Sequence, residues 1–282
     1  MNSELLELIE QAAIDQDKEL DLSGEGLTHL PSEIFRLSHL EELFLGSNQL
    51  TALPPEIAKL SQLKRLELDE NQLLTLPPEM TLLSELEELS LDDNQLAMLT
   101  PEIVKFSKLK HFKMSGNLLI TVPPEIFQLP KLKELDISNN QLTSLPTEIY
   151  PAPKLKELDF SGNHLTTLPP AFSQLAHLKR LYLSDNQLTA LPPALLQLTK
   201  LRELDLSNNE LEVLTDQISS LSNLEWLDLR DNQLTSLPLT LSYLSELEWL
   251  LLEGNLLPIP LDILESGDEP DEIISYYMKT LN

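Results

Sequence analysis

Asparagine recurs at an unbroken interval of 23 residues through most of the chain. Each one stands in the same frame, Leu-x-x-Leu-x-Leu-x-x-Asn-x-Leu. A fixed period of this length is typical of repeat architectures, in which each repeat forms one coil that stacks on its neighbours. An amide carries two donors and an acceptor, so an asparagine inside each coil is predicted to bond the backbone of its own and the next coil. The ladder residues are Asn48, Asn71, Asn94, Asn117, Asn140, Asn163, Asn186, Asn209, Asn232 and Asn255.

The leucine frame predicts a strand and a turn in every coil. Leucine alternates with other residues at a period of two, which is typical of a short strand with leucine directed inward. The next segment reads Leu-Thr-x-Leu-Pro-Pro-x-Ile-x-x-Leu, and proline there predicts short helical or extended turns. Residues 20–27 repeat the frame with Glu25 at the ladder position, as an atypical first coil. The predicted fold class is an α/β repeat solenoid, curved, with a parallel sheet on its concave face and turns on its convex face.

Both ends of the array are predicted to be helical caps, because an open end would expose the core of a solenoid. The predicted domains are an N-terminal cap at 1–16, about eleven coils at 17–260 and a C-terminal cap at 261–282. Asn2 or Ser3 is available as the N-cap of the first helix. The apolar positions of the two predicted helices are Leu5, Ile9, Ala12 and Ala13 at the N-terminus and, after Pro270, Ile273, Ile274, Tyr277 and Leu281.

The motif resembles that of leucine-rich repeat proteins, in the 23-residue class found in bacterial proteins and in Ras-group eukaryotic repeats. The ends of the array are also similar to the entry and exit of repeat arms in bacterial Roco proteins and in free-standing cyanobacterial relatives. That similarity rests on LIEQAA at 8–13, ELDLSG at 19–24, EGNLLPIP at 253–260 and IISYY at 273–277. A Ras-like GTPase domain follows the repeats in Roco proteins. Here no glycine opens a G-x-x-x-x-G-K-[ST] loop, so the resemblance implies a recognition arm whose GTPase would be a separate partner.

Composition narrows the class of partner. The formal net charge is −27, from 46 acidic and 19 basic residues. Nucleic acid and anionic membrane surfaces are therefore disfavoured as partners, whereas basic proteins or peptides are favoured. No apolar run approaches the roughly 20 residues that span a bilayer, and the N-terminus lacks the basic segment of a signal peptide. The predicted location is the cytoplasm.

Candidate catalytic and metal-binding residues do not form a recognisable motif. Cysteine is absent, which excludes disulfides, thiolate metal sites and thioester chemistry. No nucleophile elbow or phosphate loop is present, and the histidines are not paired at metal-binding spacing. The chain is therefore predicted to be non-enzymatic, with no cofactor and no metal site. The histidines are His29, His39, His111, His164 and His177.

The outward strand positions are predicted to stack into three columns on the concave face, at about 4.8 Å per coil. Acidic residues dominate these columns. Because Glu-Leu-Asp recurs in several strands, this acidity belongs to the repeat template and does not by itself indicate a site. The basic departures have a structural explanation: Arg65, His111 and Arg180 each fall between two glutamates of adjacent strands, where a cation relieves repulsion.

A few strand positions carry an aromatic residue in place of the usual acidic one, and these positions indicate a binding site. Trp226 and Trp249 are the only tryptophans, and they fall at the same register of the last two coils. Tryptophan and arginine are enriched in binding hot spots, and an exposed apolar patch usually marks a contact. Two structural alternatives remain open: the C-terminal cap folds over the tryptophans, or Arg230 simply pairs with Glu253. The predicted protein-binding residues are Trp226, Trp249, Leu251, Arg230, Tyr182 and Phe44.

The predicted function is a non-enzymatic protein–protein interaction module that binds a protein or peptide on its concave face, in intracellular signalling. One alternative is a regulatory subunit that acts in trans on a Ras-like GTPase or kinase, and another is a secreted or surface adhesin. A different surface lies on the convex side, where residues 150–153 and Thr215-Asp216 break the Pro-Pro template. Loop variation explains those breaks more simply than binding does.

Overall fold

The computed structural model describes residues 3–280, which form two compact units, Met1–Asn140 and Gln141–Asn282. The predicted capping role of Asn2 and the helical position of Leu281 lie outside the described residues. Within the described range, no helix is both long enough and apolar enough to cross a membrane.

The first unit begins with a helix and continues as six parallel strands, with a short 3-10 helix between each strand and the next. The strands are adjacent in chain order, and each residue pairs with the one 23 positions further on. The elements are α1 (Ser3–Asp15), β1 (Glu19–Asp21), β2 (Glu42–Phe44), β3 (Arg65–Glu67), β4 (Glu88–Ser90), β5 (His111–Lys113) and β6 (Glu134–Asp136), with 3-10 helices at Ser32–Arg36, Pro55–Lys59, Pro78–Leu82, Pro101–Lys105 and Pro124–Gln128.

The second unit repeats this arrangement with five parallel strands in chain order, and two helices follow the last strand. The elements are β7 (Glu157–Asp159), β8 (Arg180–Tyr182), β9 (Glu203–Asp205), β10 (Trp226–Asp228), β11 (Trp249–Leu251), α2 (Leu261–Leu264) and α3 (Pro270–Thr280), with 3-10 helices at Pro170–Gln174, Leu195–Gln197, Asp216–Ser220 and Leu239–Tyr243.

The elements follow the pattern of leucine and proline in the sequence. In β3, Leu66 is fully buried, while Arg65 and Glu67 on either side are partly exposed. Pro54 is extended, with φ −76° and ψ 154°, and it precedes a 3-10 helix whose Ile57 is buried. Proline suits the start of a helix because its missing N–H would have no partner there. The predicted fold class, an α/β repeat solenoid with parallel strands, short helical turns and terminal helices, is confirmed.

The ladder asparagines bond two successive coils, and all of them are buried except Asn255, which is partly exposed. The Nδ2 of Asn94 donates to the carbonyls of Leu91 (3.1 Å) and Asp92 (3.1 Å) in its own coil and of Leu68 (2.9 Å) in the preceding coil. Its Oδ1 accepts from the N–H of Leu73 (3.0 Å), also in the preceding coil. The prediction that each amide bonds the next coil is therefore wrong in direction. The backbone groups that need a partner are the carbonyl of Leu68 and the N–H of Leu73, which lie on either side of Asn71. Neither group takes part in the pairing between strands.

The two breaks in the Pro-Pro template have different outcomes. Thr215 replaces a proline, yet a 3-10 helix still forms at Asp216–Ser220. Within residues 141–156, all of which are described, no 3-10 helix forms. Pro151 accounts for this, since a residue that precedes proline is forced away from helical backbone angles. Tyr150 therefore cannot take the conformation that its equivalents adopt in other coils.

The C-terminal segment covers part of the last strand. The N–H of Leu250 in β11 donates to the carbonyl of Gly267 (2.8 Å), in the loop between α2 and α3. A side chain at Gly267 would meet Cδ2 of Leu251 at 2.4 Å, so glycine allows this close approach. Ile273 and Tyr277 of α3 are buried. A strand edge covered in this way is protected from pairing with another chain.

We expect Asn94→Ala to lower the free energy of unfolding by about 2–3 kcal/mol, because buried backbone groups in two coils lose their partner. Chemical denaturation followed by circular dichroism measures the change. Gln95→Ala, at the exposed next position, is the control and should shift the value by less than about 0.5 kcal/mol. Equal effects of the two substitutions would contradict a stabilising role for the ladder.

Candidate functional site

The two tryptophans lie side by side on the outward face of the last two strands. Trp226 of β10 pairs in register with Trp249 of β11. Trp226 is partly buried, whereas Trp249 is 45% exposed. Large apolar side chains are rarely left in contact with water in adjacent positions without a binding role. The structure therefore brings together the two residues that carry the sequence prediction.

Acidic side chains surround the tryptophans. The pair lines an open depression of about 420 Å³ on the strand face of the second unit. We call the surface of this depression the aromatic–acidic patch; its residues are Tyr182, Glu203, Glu225, Trp226, Glu248 and Trp249.

Tyr182 contributes a neutral aromatic ring to the patch. Its hydroxyl donates a hydrogen bond to Oε2 of Glu203 (2.8 Å). Burial, reinforced by this bond to a carboxylate, raises the pKa of the Tyr182 phenol, so the side chain stays protonated. The prediction that Tyr182 belongs with the two tryptophans agrees with their common position in the patch, although its binding role stays a prediction.

Leu251 and Arg230 lie outside the aromatic–acidic patch. Leu251 is partly covered by the loop at Gly267. The alternative predicted from the sequence is that the C-terminal cap folds over the tryptophans. It does not hold for Trp249, because nearly half of that side chain remains exposed.

Arg230 pairs with the carboxylate of Asp228. Its Nε donates to both carboxylate oxygens of Asp228 (3.0 and 2.9 Å), and its backbone N–H also donates to Oδ1 of Asp228 (2.9 Å). Asp228 is fully buried. Asp228 ends β10 and Arg230 follows it by two residues, so this pair forms within one coil, and the alternative in which Arg230 pairs with Glu253 is not what the structure shows. The hydrogen bonds to Asp228 raise the pKa of the Arg230 guanidinium.

Phe44 belongs to the first unit and has a local partner. The guanidinium carbon of Arg65 lies 5.2 Å from the centroid of the Phe44 ring, which is a cation–π distance. Arg65 also bonds Glu67 of its own strand, and it lies 3.7 Å from Glu88 of the next strand. Contacts within the sheet therefore satisfy both side chains.

Each of the three basic residues predicted to lie between two glutamates contacts one of them. Arg65 contacts Glu88 as described above. Nδ1 of His111 lies 2.9 Å from Oε2 of Glu134, and Nε of Arg180 donates to Oε2 of Glu157 (2.7 Å). These contacts stabilise the sheet, and the side chains that make them contribute little to a site for a partner.

A second depression, of about 330 Å³, lies on the strand face of the first unit. Within it, Oδ1 of Asp69 accepts from the N–H of Asp92 (2.9 Å), and Oδ1 of Asp92 accepts from the N–H of Ser115 (2.7 Å). Burial raises the pKa of Asp92 to about 6 and also raises that of Asp69. The depression is lined by Arg65, Leu66, Glu67, Asp69, Glu88, Leu89, Ser90, Asp92, His111, Lys113 and Glu134.

A fourth column of charged residues, not among the three columns considered in the sequence, immediately precedes the strands. We call it the pre-strand row. From Lys18 to Lys110 its charges alternate and pair: Glu41 binds both Lys18 and Lys64, and Glu87 binds Lys110. Lys133, the last member in the first unit, repeats the sign of Lys110. The two lysines hold the pKa of Glu41 at about 2. The 23-residue spacing would have revealed this row. In the second unit it consists of Lys156, Lys179, Arg202, Glu225 and Glu248.

Among residues 3–280, no group of three or more histidine or acidic side chains is arranged to hold a metal ion. The features that distinguish the strand faces are the aromatic–acidic patch, the buried carboxylates at Asp69 and Asp92, and the pre-strand row.

With its leucine frame, asparagine ladder and parallel strands, the chain belongs to the leucine-rich repeat family. The family model described as Leucine rich repeat matches residues 18–73, 84–142, 107–165, 130–188, 153–211 and 199–257. This fold is typical of protein–protein interaction modules. The narrower resemblance to Roco proteins and cyanobacterial relatives stays a prediction.

Solved structures of other repeat proteins resemble the chain. The Toll–Spatzle complex of Drosophila matches with 25% identity and a TM-score of 0.77, over 88% of this chain and 35% of that chain. The ectodomain of the receptor kinase GASSHO1/SCHENGEN3 of Arabidopsis thaliana, in complex with CASPARIAN STRIP INTEGRITY FACTOR 2, matches with 32% identity and a TM-score of 0.62, over 80% and 31%. The functional domain of InlJ from Listeria monocytogenes, which includes a cysteine ladder, matches with 30% identity and a TM-score of 0.67, over 83% and 48%.

The chain thus spans between 31% and 48% of the length of these three structures. None of the curated proteins compared with the chain matches it. The three structures support the repeat fold. The kind of partner has to be inferred from the residues of this chain.

We expect Asp92→Asn to raise the free energy of unfolding at neutral pH. The folded pKa of about 6 exceeds the ordinary value of 3.8, so stability falls as pH rises from about 4 to about 6. After screening by solvent, the penalty above this window is roughly 1–2 kcal/mol. Denaturation across this pH range should show a smaller slope for the variant. Glu56→Gln, at an exposed position, controls for the loss of one surface carboxylate; parallel curves for Asp92→Asn and wild type would contradict the expectation.

We expect Arg230→Ala to lower the free energy of unfolding by roughly 2 kcal/mol, because a fully buried carboxylate loses its charged donor. Thermal and chemical denaturation measure the loss. Glu253→Gln is the matched control and should have little effect. If Glu253→Gln destabilises the protein as much as Arg230→Ala does, Asp228 is not the principal partner.

Proposed function

We propose that this chain is a non-enzymatic interaction module whose aromatic–acidic patch binds a basic segment of a protein or peptide. The observation that carries the proposal is the pairing of the only two tryptophans on adjacent strands, with one of them 45% exposed inside an acidic depression. Tryptophan at the centre of a contact commonly accounts for about 2 kcal/mol or more of binding free energy, which is roughly thirtyfold in affinity.

The charges around the tryptophans favour a cationic partner. Glu203 accepts from Tyr182, and Glu225 is paired with Arg202 at 2.8 Å. Glu248 is exposed and has no ion-pair partner among the described residues. A lysine or arginine of the partner can place its charge beside Glu248 and its alkyl stem or guanidinium against an indole ring, which combines ion pairing with cation–π attraction.

The solved relatives support a protein or peptide as the partner. Toll is in a complex with Spatzle, and GASSHO1/SCHENGEN3 is in a complex with CASPARIAN STRIP INTEGRITY FACTOR 2. Both resemble this chain over at least 80% of its length. Binding of a protein ligand by repeats of this type is therefore consistent with the patch that the chain displays.

A random linear peptide library selected on the wild-type protein tests the proposal. Enriched peptides should carry lysine or arginine, and Trp226→Ala combined with Trp249→Ala should weaken their binding at least about tenfold, which corresponds to about 1.4 kcal/mol. Binding should also weaken as salt concentration rises, because the acidic side chains attract the peptide. Titration calorimetry measures both effects.

Leu239→Ala combined with Tyr243→Ala is the matched control. These side chains are 53% and 69% exposed in the same unit, and they belong to a 3-10 helix away from the patch. Glu248→Arg provides a variant that leaves both tryptophans in place and should also abolish selection of basic peptides. Unchanged affinity in the double tryptophan variant, with the fold intact by circular dichroism, would refute the patch as the binding site.

A further inference from the structure

The pre-strand row of the second unit continues the charged surface beside the aromatic–acidic patch. Its residues are linked directly through the backbone: each N–H donates to the carbonyl of the preceding member at 2.7–2.8 Å. The side chains therefore stand at the interval of neighbouring strands, about 4.8 Å per step. The row, in order, is Lys156, Lys179, Arg202, Glu225 and Glu248.

The charges of this row are segregated. Arg202 and Glu225 form an ion pair at its centre, with 2.8 Å between Nη1 and Oε1. Lys156 and Lys179 lie at one end, and Glu248 lies at the other end next to Trp249. In the first unit the same row alternates in sign from Lys18 to Lys110 and pairs within that stretch, which stabilises the sheet. Segregation in the second unit leaves opposite charges at its two ends.

The two lysines are available to a partner. Lys156 is exposed and Lys179 is partly exposed, and neither has an ion-pair partner among the described residues. The nearest glutamate in sequence, Glu157, is engaged by Arg180. A carboxylate of a bound partner would neutralise the charges of Lys156 and Lys179.

We infer that the segment bound by this unit is an extended, bipolar peptide, with a basic side chain over the aromatic–acidic patch and an acidic side chain over Lys156 and Lys179. This inference rests on the proposed function and specifies its ligand. The ends of the row are three to four strand intervals apart, about 14–19 Å. An extended chain spans this distance with roughly five residues, so the two opposite charges of the ligand are separated by about that number.

The charge pattern distinguishes this ligand from a uniformly basic segment. A uniformly basic segment would satisfy Glu248 but would place like charge against Lys156 and Lys179, which is unfavourable across a contact. A short basic segment that covers only the patch would not reach Lys156 and Lys179, and its affinity would not depend on them. The bipolar peptide matches both ends at once.

Synthetic peptides test the inference by intrinsic fluorescence, because both tryptophans of the chain lie in the patch. One peptide carries an arginine, a neutral spacer of about five residues and two glutamates, in both chain directions. A second carries glutamines in place of the glutamates. We expect the first to bind about fivefold more tightly to wild type, as weak exposed ion pairs allow. That advantage should disappear in Lys156→Gln combined with Lys179→Gln.

Lys154→Gln combined with Lys200→Gln is the matched control, because it removes the same charge from exposed positions outside the row; the fivefold advantage should persist in it. Equal binding of the two peptides to wild type, or an advantage that survives loss of Lys156 and Lys179, overturns the bipolar ligand. The proposed function would still stand if selected basic peptides depend on the two tryptophans. No fluorescence change with either synthetic peptide overturns the bipolar ligand, and failure of the library to yield peptides that depend on the two tryptophans overturns the proposed function.

Discussion

The buried hydrogen bonds of the ladder asparagines are the interaction on which the rest of the structure depends. Each amide satisfies backbone groups in two successive coils, as Asn94 does for Leu91 in its own coil and Leu68 in the preceding one. Buried backbone groups without partners would cost more than the amide costs to bury, so the ladder holds successive coils at one register. Because the register never shifts within a unit, residues 23 positions apart form straight rows on the strand face. Every surface feature of this protein is built from such rows.

A row that follows the repeat template has a structural role, whereas a departure from it carries information about a partner where no contact within the sheet accounts for it. The pre-strand row shows the contrast within one chain. Around Glu41 the row alternates in sign and its lysines bind internally, whereas from Lys156 to Glu248 the charges segregate and the end groups remain available. The tryptophans are a second departure at the same end. Two independent departures that meet on one surface favour binding over chance variation.

The sequence predicts the fold well because its period, its leucine alternation and its prolines each act locally and agree with one another. The adjacency of Trp226 and Trp249 follows from the same period. The partner of Arg230 could not be predicted, because a strand places Asp228 and Glu253 within reach of the same guanidinium and only side-chain geometry decides. The direction of the amide bonds was equally hidden, since a fixed spacing is the same read forwards or backwards. The missing turn at Pro151, in contrast, follows from proline chemistry alone.

The backward direction of the ladder makes the two ends of the stack unequal. The coil at 20–27 follows helix α1 rather than another coil, so an amide at its ladder position would have no coil behind it to serve, and the exposed Glu25 stands there instead. Its own N–H at Leu27 is served by Asn48. Shortening from the C-terminal side would take away the amide that the remaining coil needs. Shortening from the other side would leave an amide that keeps the bonds to its own coil and loses only those to the preceding one.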